Sequence, residues 1–94
     1  MSKVDLTITA ENQFSDSVRV QREFVFSLYS NSFTGKITLQ RSFDNVTWGD
    51  VEVFEDTSTE KNGEQPGGAY YRFGCKTGDF TSGTIDGRLA STAI

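Results

Sequence analysis

Histidine is absent from this 94-residue chain, and cysteine, proline, tryptophan and methionine occur once each. Without histidine the chain lacks the commonest general base, the usual partner of a serine or cysteine nucleophile, and the commonest transition-metal ligand. Catalysis, a bound metal and a cofactor are therefore not expected. The lone Cys75 excludes an intrachain disulfide, so the fold must hold by packing and strand pairing, and a reducing compartment fits. Basic residues are also scarce: nine stand against thirteen acidic ones, a net charge of −4. That balance argues against nucleic acid, whose phosphates draw on clustered Lys and Arg. No run of about 18 apolar residues occurs to span a bilayer, and the opening MSKVDLTITA lacks the apolar stretch of a signal peptide. The expectation is a chain made in a cytoplasm, with no membrane partner.

A chain of this length buries only roughly 60–65% of its unfolded surface, enough for one modest core. Residues 1–94 read as a single domain with short tails at residues 1–3 and 91–94. Phe, Thr, Val, Ser and Gly are prominent, and no window carries a 3.6-residue apolar period, so no long helix is expected. Val4, Leu6, Ile8 and Ala10 alternate with Asp5, Thr7 and Thr9 as a first strand, and residues 11–17 break it as a loop. Val18, Val20, Phe24, Phe26 and Leu28 share one face, which makes Glu23 to Ser30 a strong strand. Asn31, Ser32 and Gly35 predict a turn after it.

The segment GKITLQRSFDNVTWGDVEVF, Gly35 to Phe54, reads as a hairpin folded about Asp44-Asn45. Residues 56–68 are polar, acidic and rich in turn formers, a long loop crossed by one short strand near Thr57 to Glu60. Tyr71, Phe73 and Cys75 then alternate inward, KTGDFTSG makes a second hairpin loop, and Ile85 and Leu89 mark the closing strand. About six or seven short strands with turns every 8 to 12 residues form the pattern of an all-β, antiparallel sandwich.

Three constellations carry chemistry worth weighing. Ser42-Phe43-Asp44-Asn45-Val46-Thr47-Trp48 resembles the Asp-box hairpin of sialidases and many secreted β-proteins, one residue short and with Val46 where glycine would ease the turn. Asp44 is expected to accept an amide hydrogen two residues on, Thr47 to tie the returning strand and Trp48 to bury its ring. The box is structural where it is known. A buried Trp48 would make Trp48→Ala cost roughly 3–5 kcal/mol. Gly67 to Phe73 resembles the approach to strand F of immunoglobulin-like domains, which implies an immunoglobulin-like sandwich with Tyr71 tying back to its corner. Asp44, Asp50, Glu52, Glu55, Asp56 and Glu60 could offer calcium oxygen ligands, but their spacing matches no calcium loop, and a solvated acidic edge is the better reading.

Asn45-Val46-Thr47 is formally a glycosylation sequon, coincidental without a secretory signal. Cys75 reads as a small core residue with no histidine to activate it. Tyr29, Phe33, Tyr70 and Phe80 are the candidate interface residues, since so small a core cannot hold every aromatic.

End to end, FVFSLYSNSFTGKITLQRSFDNVTWGDVEVF and YYRFGCKTGDFTSGTIDGRL resemble short β-sandwich accessory proteins of tailed bacteriophage virions. The shared marks are the T-x-Q-R-S-F-D hairpin with its nearby tryptophan, then Y-Y-R and a terminal strand after S-G-T. The resemblance implies a virion structural protein, a capsid decoration or cement protein on the major capsid protein. A neck, tail or fibre module that touches glycan is the second reading. It also implies a capsid-surface location. The modest stability of so small a sandwich separately points to self-association as a dimer or trimer, or to stabilisation by its binding partner.

Overall fold

The alternating stretches all become strands, but the chain joins two of them into one. In the computed structural model, which describes residues 2–55 and 58–91, eight antiparallel strands and no helix are present among the described residues. They are β1 (Ser2–Ile8), β2 (Gln13–Phe14), β3 (Val18–Val20), β4 (Glu23–Ser42), β5 (Gly49–Glu55), β6 (Thr59–Glu64), β7 (Ala69–Cys75) and β8 (Phe80–Ser91).

β4 is the organising element. Fully extended, its twenty residues would span about 63 Å, whereas the longest dimension of the molecule is 37 Å. The strand must therefore bend. It does so between Asn31 and Gly35, where its register with β8 shifts twice, Ser32 takes a φ of 58° and Gly35 a φ of 149°. A side chain at Gly35 would also strike the Asp79 carbonyl. The expected turn at residues 31–35 is thus a bend inside a continuous strand: the ladder to β8 continues on both sides of it, so the backbone never leaves the sheet.

The bend divides the structure into two facing sheets. Before it, β4 lies between β8 and β6, and β1 pairs on the far side of β8. Beyond it, β4 lies between β7 and β5, and β2 and β3 pair on the far side of β7. Because one strand serves both sheets, the fold approaches a barrel. The predicted loop at residues 11–17 contains β2, and Ser15 continues the ladder: its amide donates to the Phe73 carbonyl (2.8 Å) and its hydroxyl accepts from the Phe73 amide (3.1 Å). Much of the loop placed at residues 56–68 is β6, which pairs with Glu23–Leu28. Of the short strand placed near residues 57–60, Thr59 and Glu60 lie in β6, while Thr57, with Asp56, lies outside the described residues.

Phe24, Phe26 and Leu28 of the first sheet face Tyr71, Phe73 and Leu39 of the second in one buried core. Ring centroids lie 5.2 Å apart for Phe26 and Phe73 and 4.6 Å apart for Phe24 and Tyr71, the tilted contacts that aromatic quadrupoles favour. Gly87 of β8 makes room for this approach: a Cβ there would sit 2.3 Å from the Phe73 ring. The tails are shorter than expected, because Ser2 and Lys3 pair with Ser91 and Ala90, while Met1 and residues 92–94 lie outside the described residues.

Candidate functional site

The turn of the β4–β5 hairpin is closed by one carboxylate. Asp44 Oδ1 accepts from the amides of Val46 (2.9 Å) and Thr47 (2.8 Å) and from the Ser42 hydroxyl (2.8 Å), while Asn45 takes a φ of 62°. These donors, the Thr47 amide foremost, hold the Asp44 carboxyl down at about 2. The Asx-turn expected from the sequence is therefore present, and Thr47 joins it through its backbone amide.

Trp48 is half-buried instead of enclosed, and it packs on Arg72 instead of over its own turn. The Arg72 guanidinium carbon lies 4.3 Å from the Trp48 ring and 4.7 Å from the Phe14 ring, an aromatic–cation–aromatic stack across β7. Arg72 Nε donates to Gln40 Oε1 (2.8 Å), Gln40 Nε2 donates to Asp50 Oδ1 (3.0 Å), and Lys76 pairs with the other Asp50 oxygen. Burial lowers the Arg72 pKa, and the Lys76 ammonium lowers that of Asp50. This outer face of the second sheet spends its polar groups on one another. Beside it, Thr38 is buried opposite Gly74 with a hydroxyl that has no hydrogen-bond partner among the described residues.

Tyr71 is buried, and its hydroxyl donates to Gln65 Oε1 (2.7 Å), six residues upstream. Tyr71 thus ties back to the preceding turn through a side chain. Arg41 Nη1 donates to the same oxygen (3.3 Å) and its guanidinium lies 5.3 Å from the Phe43 ring.

The four candidate interface aromatics part company. Tyr29 is 58% exposed, on the outer face of the first sheet. Phe33 is 3% exposed and does not present a surface: the bend of β4 turns it inward, where its ring meets Phe80 at 6.0 Å. Phe80 is itself half-buried against the core, and Tyr70 is half-buried under Arg19, 5.4 Å from its ring. Cys75 is fully buried, and desolvation pushes its thiol pKa up, the opposite of what a nucleophile requires.

Sequence reasoning missed a different set. Among the described residues the exposed large apolar side chains are Tyr29, Phe43, Val46, Val51 and Val53, and the last four all lie on the β4–β5 hairpin. The signal was present in the alternation of Val51 and Val53 against Glu52 and Phe54. A bulge between Leu39 and Gln40 leaves Val51 without a partner on β4, and β5 pairs with no other described strand, so its outer side chains stay uncovered.

A second feature lies on the first sheet. A groove of about 600 Å³ crosses its outer face, with Ser27 and Tyr29 of β4, Asp86 and Arg88 of β8, Glu60 of β6, and Asp5 and Thr7 of β1 around it. Arg88 Nε donates to Asp5 Oδ1 (2.7 Å), which lowers the Asp5 pKa and raises that of Arg88. The Thr7 hydroxyl donates to Asp86 Oδ1 (2.5 Å). No group of three or more potential metal-ligating side chains occurs among the described residues. Comparison of the chain with known protein families, with curated proteins and with solved structures gives no match.

Proposed function

We propose that this protein is a non-enzymatic structural protein of a bacteriophage virion, a capsid decoration or cement protein that binds the major capsid protein shell and stabilises it. The observation that carries the reading is the exposure of four large apolar side chains on one hairpin. Phe43 (72% exposed) and Val46 (77%) stand at the turn, and Val51 and Val53 are exposed on the edge strand that follows. Exposed apolar side chains beside a strand edge that pairs with no other described strand are what a docking element presents. The turn beneath it is fixed by Asp44, so Phe43 and Val46 are offered on a backbone already ordered, and little conformational entropy is lost on binding.

The placement on a virion rests on the resemblance of residues 23–89 to small accessory proteins of tailed phages, and the acidic, histidine-free composition is compatible with it. The immunoglobulin-like description of the sandwich belongs to the same proposal, supported by the tie from Tyr71 to Gln65. The free edge of β5 also suits pairing with a second copy, as a dimer or trimer on the particle.

Incorporation into particles tests the proposal. Phe43→Ser combined with Val53→Lys should leave the thermal midpoint nearly unchanged and abolish retention on purified virions. Retention at the wild-type level would overturn the assignment of the hairpin. Densitometry should count copies in the hundreds, matching a capsid lattice, whereas about a dozen would move the protein to a neck or tail ring.

A further inference from the structure

The groove on the first sheet differs in kind from the apolar hairpin. Its floor is β-sheet, rigid and continuous over four strands, and at about 600 Å³ it falls within the size range of small-ligand sites. Tyr29 stands in it with more than half its surface open, and Asp86 is its direct cross-strand neighbour. Ser27 lies opposite both Glu60 and Arg88, is only 6% exposed, and its hydroxyl has no partner among the described residues. A hydroxyl that opens on a groove without a protein partner is completed by whatever fills the groove, water or ligand.

The lining chemistry narrows the occupant. Asp86 and Glu60 only accept hydrogen bonds, the Arg88 guanidinium only donates, and the Ser27 and Tyr29 hydroxyls can do either. An anionic ligand would meet Asp5, Glu60 and Asp86 against a single arginine, so phosphate or sulfate groups are disfavoured. A basic side chain would satisfy the carboxylates but set a second cation beside the Arg88 guanidinium, already paired with Asp5, and leave the Ser27 proton unanswered. A polyhydroxyl ligand has groups that donate and accept at once, and it presents an apolar C–H face to an exposed aromatic ring.

We propose that this groove binds a neutral saccharide, with Tyr29 as the stacking platform and Ser27, Glu60, Asp86 and Arg88 as its hydrogen-bonding groups. The site lies on the opposite sheet from the outward side chains of the β5 hairpin, so the protein can hold a virion with one face while the other meets a glycan. The proposal stands or falls independently of the hairpin assignment.

The test is a screen of the full chain on an array of neutral glycans. Two-dimensional NMR titration with hexasaccharides of glucose, galactose and N-acetylglucosamine then follows, together with any array hit. At least one of these saccharides should shift the amide signals of Ser27, Tyr29, Asp86 and Arg88, and Tyr29→Ala should weaken it tenfold or more while leaving signals outside the groove in place. Asp86→Asn should weaken the same saccharide, whereas Asp16→Asn, an equal change of charge elsewhere on the surface, should not. No shift at the groove with any glycan up to 10 mM would overturn the proposal, as would full affinity in Tyr29→Ala. Groove signals that respond to hexalysine and to no saccharide would overturn it in favour of a basic peptide segment.

Discussion

The outer faces of the two sheets are built from the same alternation of side chains yet end in opposite states. On the second sheet, Arg72 is sandwiched between Phe14 and Trp48 and bonded to Gln40, which is bonded in turn to Asp50 and through it linked to Lys76. On the first, Arg88 pairs with Asp5 and Thr7 with Asp86, but Tyr29 projects into an open groove and the Ser27 hydroxyl has no partner among the described residues. Polar groups that satisfy one another contribute to stability and are poor at recognition, because binding would first have to break their bonds. Groups left open contribute little to the fold and remain available to a partner. Stability and binding through polar groups are thus expected to map onto different faces, and mutants can separate them.

The largest effect should come from what the two faces share. Phe73 meets Phe26 across the core and sits against Gly87, so Phe73→Ala should destabilise the protein by about 3–5 kcal/mol in denaturant unfolding. Both faces should be lost in one transition. A separate unfolding of the first sheet would show that β4 does not weld the two into one unit.

Next in size is the stack. Arg72→Ala or Trp48→Ala should each cost about 2 kcal/mol, below the 3–5 kcal/mol expected of a fully enclosed tryptophan, because both rings of the stack remain partly open. Tyr29→Ala should change stability by no more than about 0.5 kcal/mol. Equal losses at Tyr29 and Arg72 would erase the distinction between the faces.

How far the sequence disclosed these features follows from the range of the interactions. The Asp44 turn was legible because all its partners lie within three residues, and Tyr71 because its corner is six residues away. The continuity of β4 was not, since Asn31, Ser32 and Gly35 are turn formers locally and only the ladder to β8, about fifty residues on, carries the strand across the bend they make. The inward turn of Phe33 follows from that bend. The partner of Trp48 was likewise hidden, because Arg72 reaches it from another strand and nothing in the spacing of a hairpin encodes such a neighbour. The groove needs four strands from across the chain, so its residues carry no common motif.

Thr38 offers an effect of opposite sign. Its hydroxyl is buried beside the stack without a partner among the described residues, so Thr38→Val removes an unsatisfied polar group at nearly constant shape. The variant should be more stable by up to about 1 kcal/mol in denaturant unfolding. A loss of stability would mean that the hydroxyl has a partner in solution, and that this face is less closed on itself than the stack suggests.

The smallest effect belongs to the exposed turn and is best seen as a function of pH. The Asp44 carboxyl titrates at about 2 in the folded protein against an ordinary value of 3.8, because the amides of Thr47 and Val46 favour its charged form. A folded pKa below the unfolded one gives stability that is fully present above pH 4 and disappears as pH falls through 2. Asp44→Ala lacks this contribution at every pH. Its melting temperature should therefore sit below that of the parent by a constant margin from pH 7 to about 5, and the two curves should converge between about pH 4 and 2. Asp5 and Asp50 also have lowered values, but they are present in both proteins, so their losses cancel in the difference. A margin unchanged down to pH 2 would place the role of Asp44 in turn geometry alone and leave the hairpin carboxylate without the charge-assisted bonds that order its apolar crown.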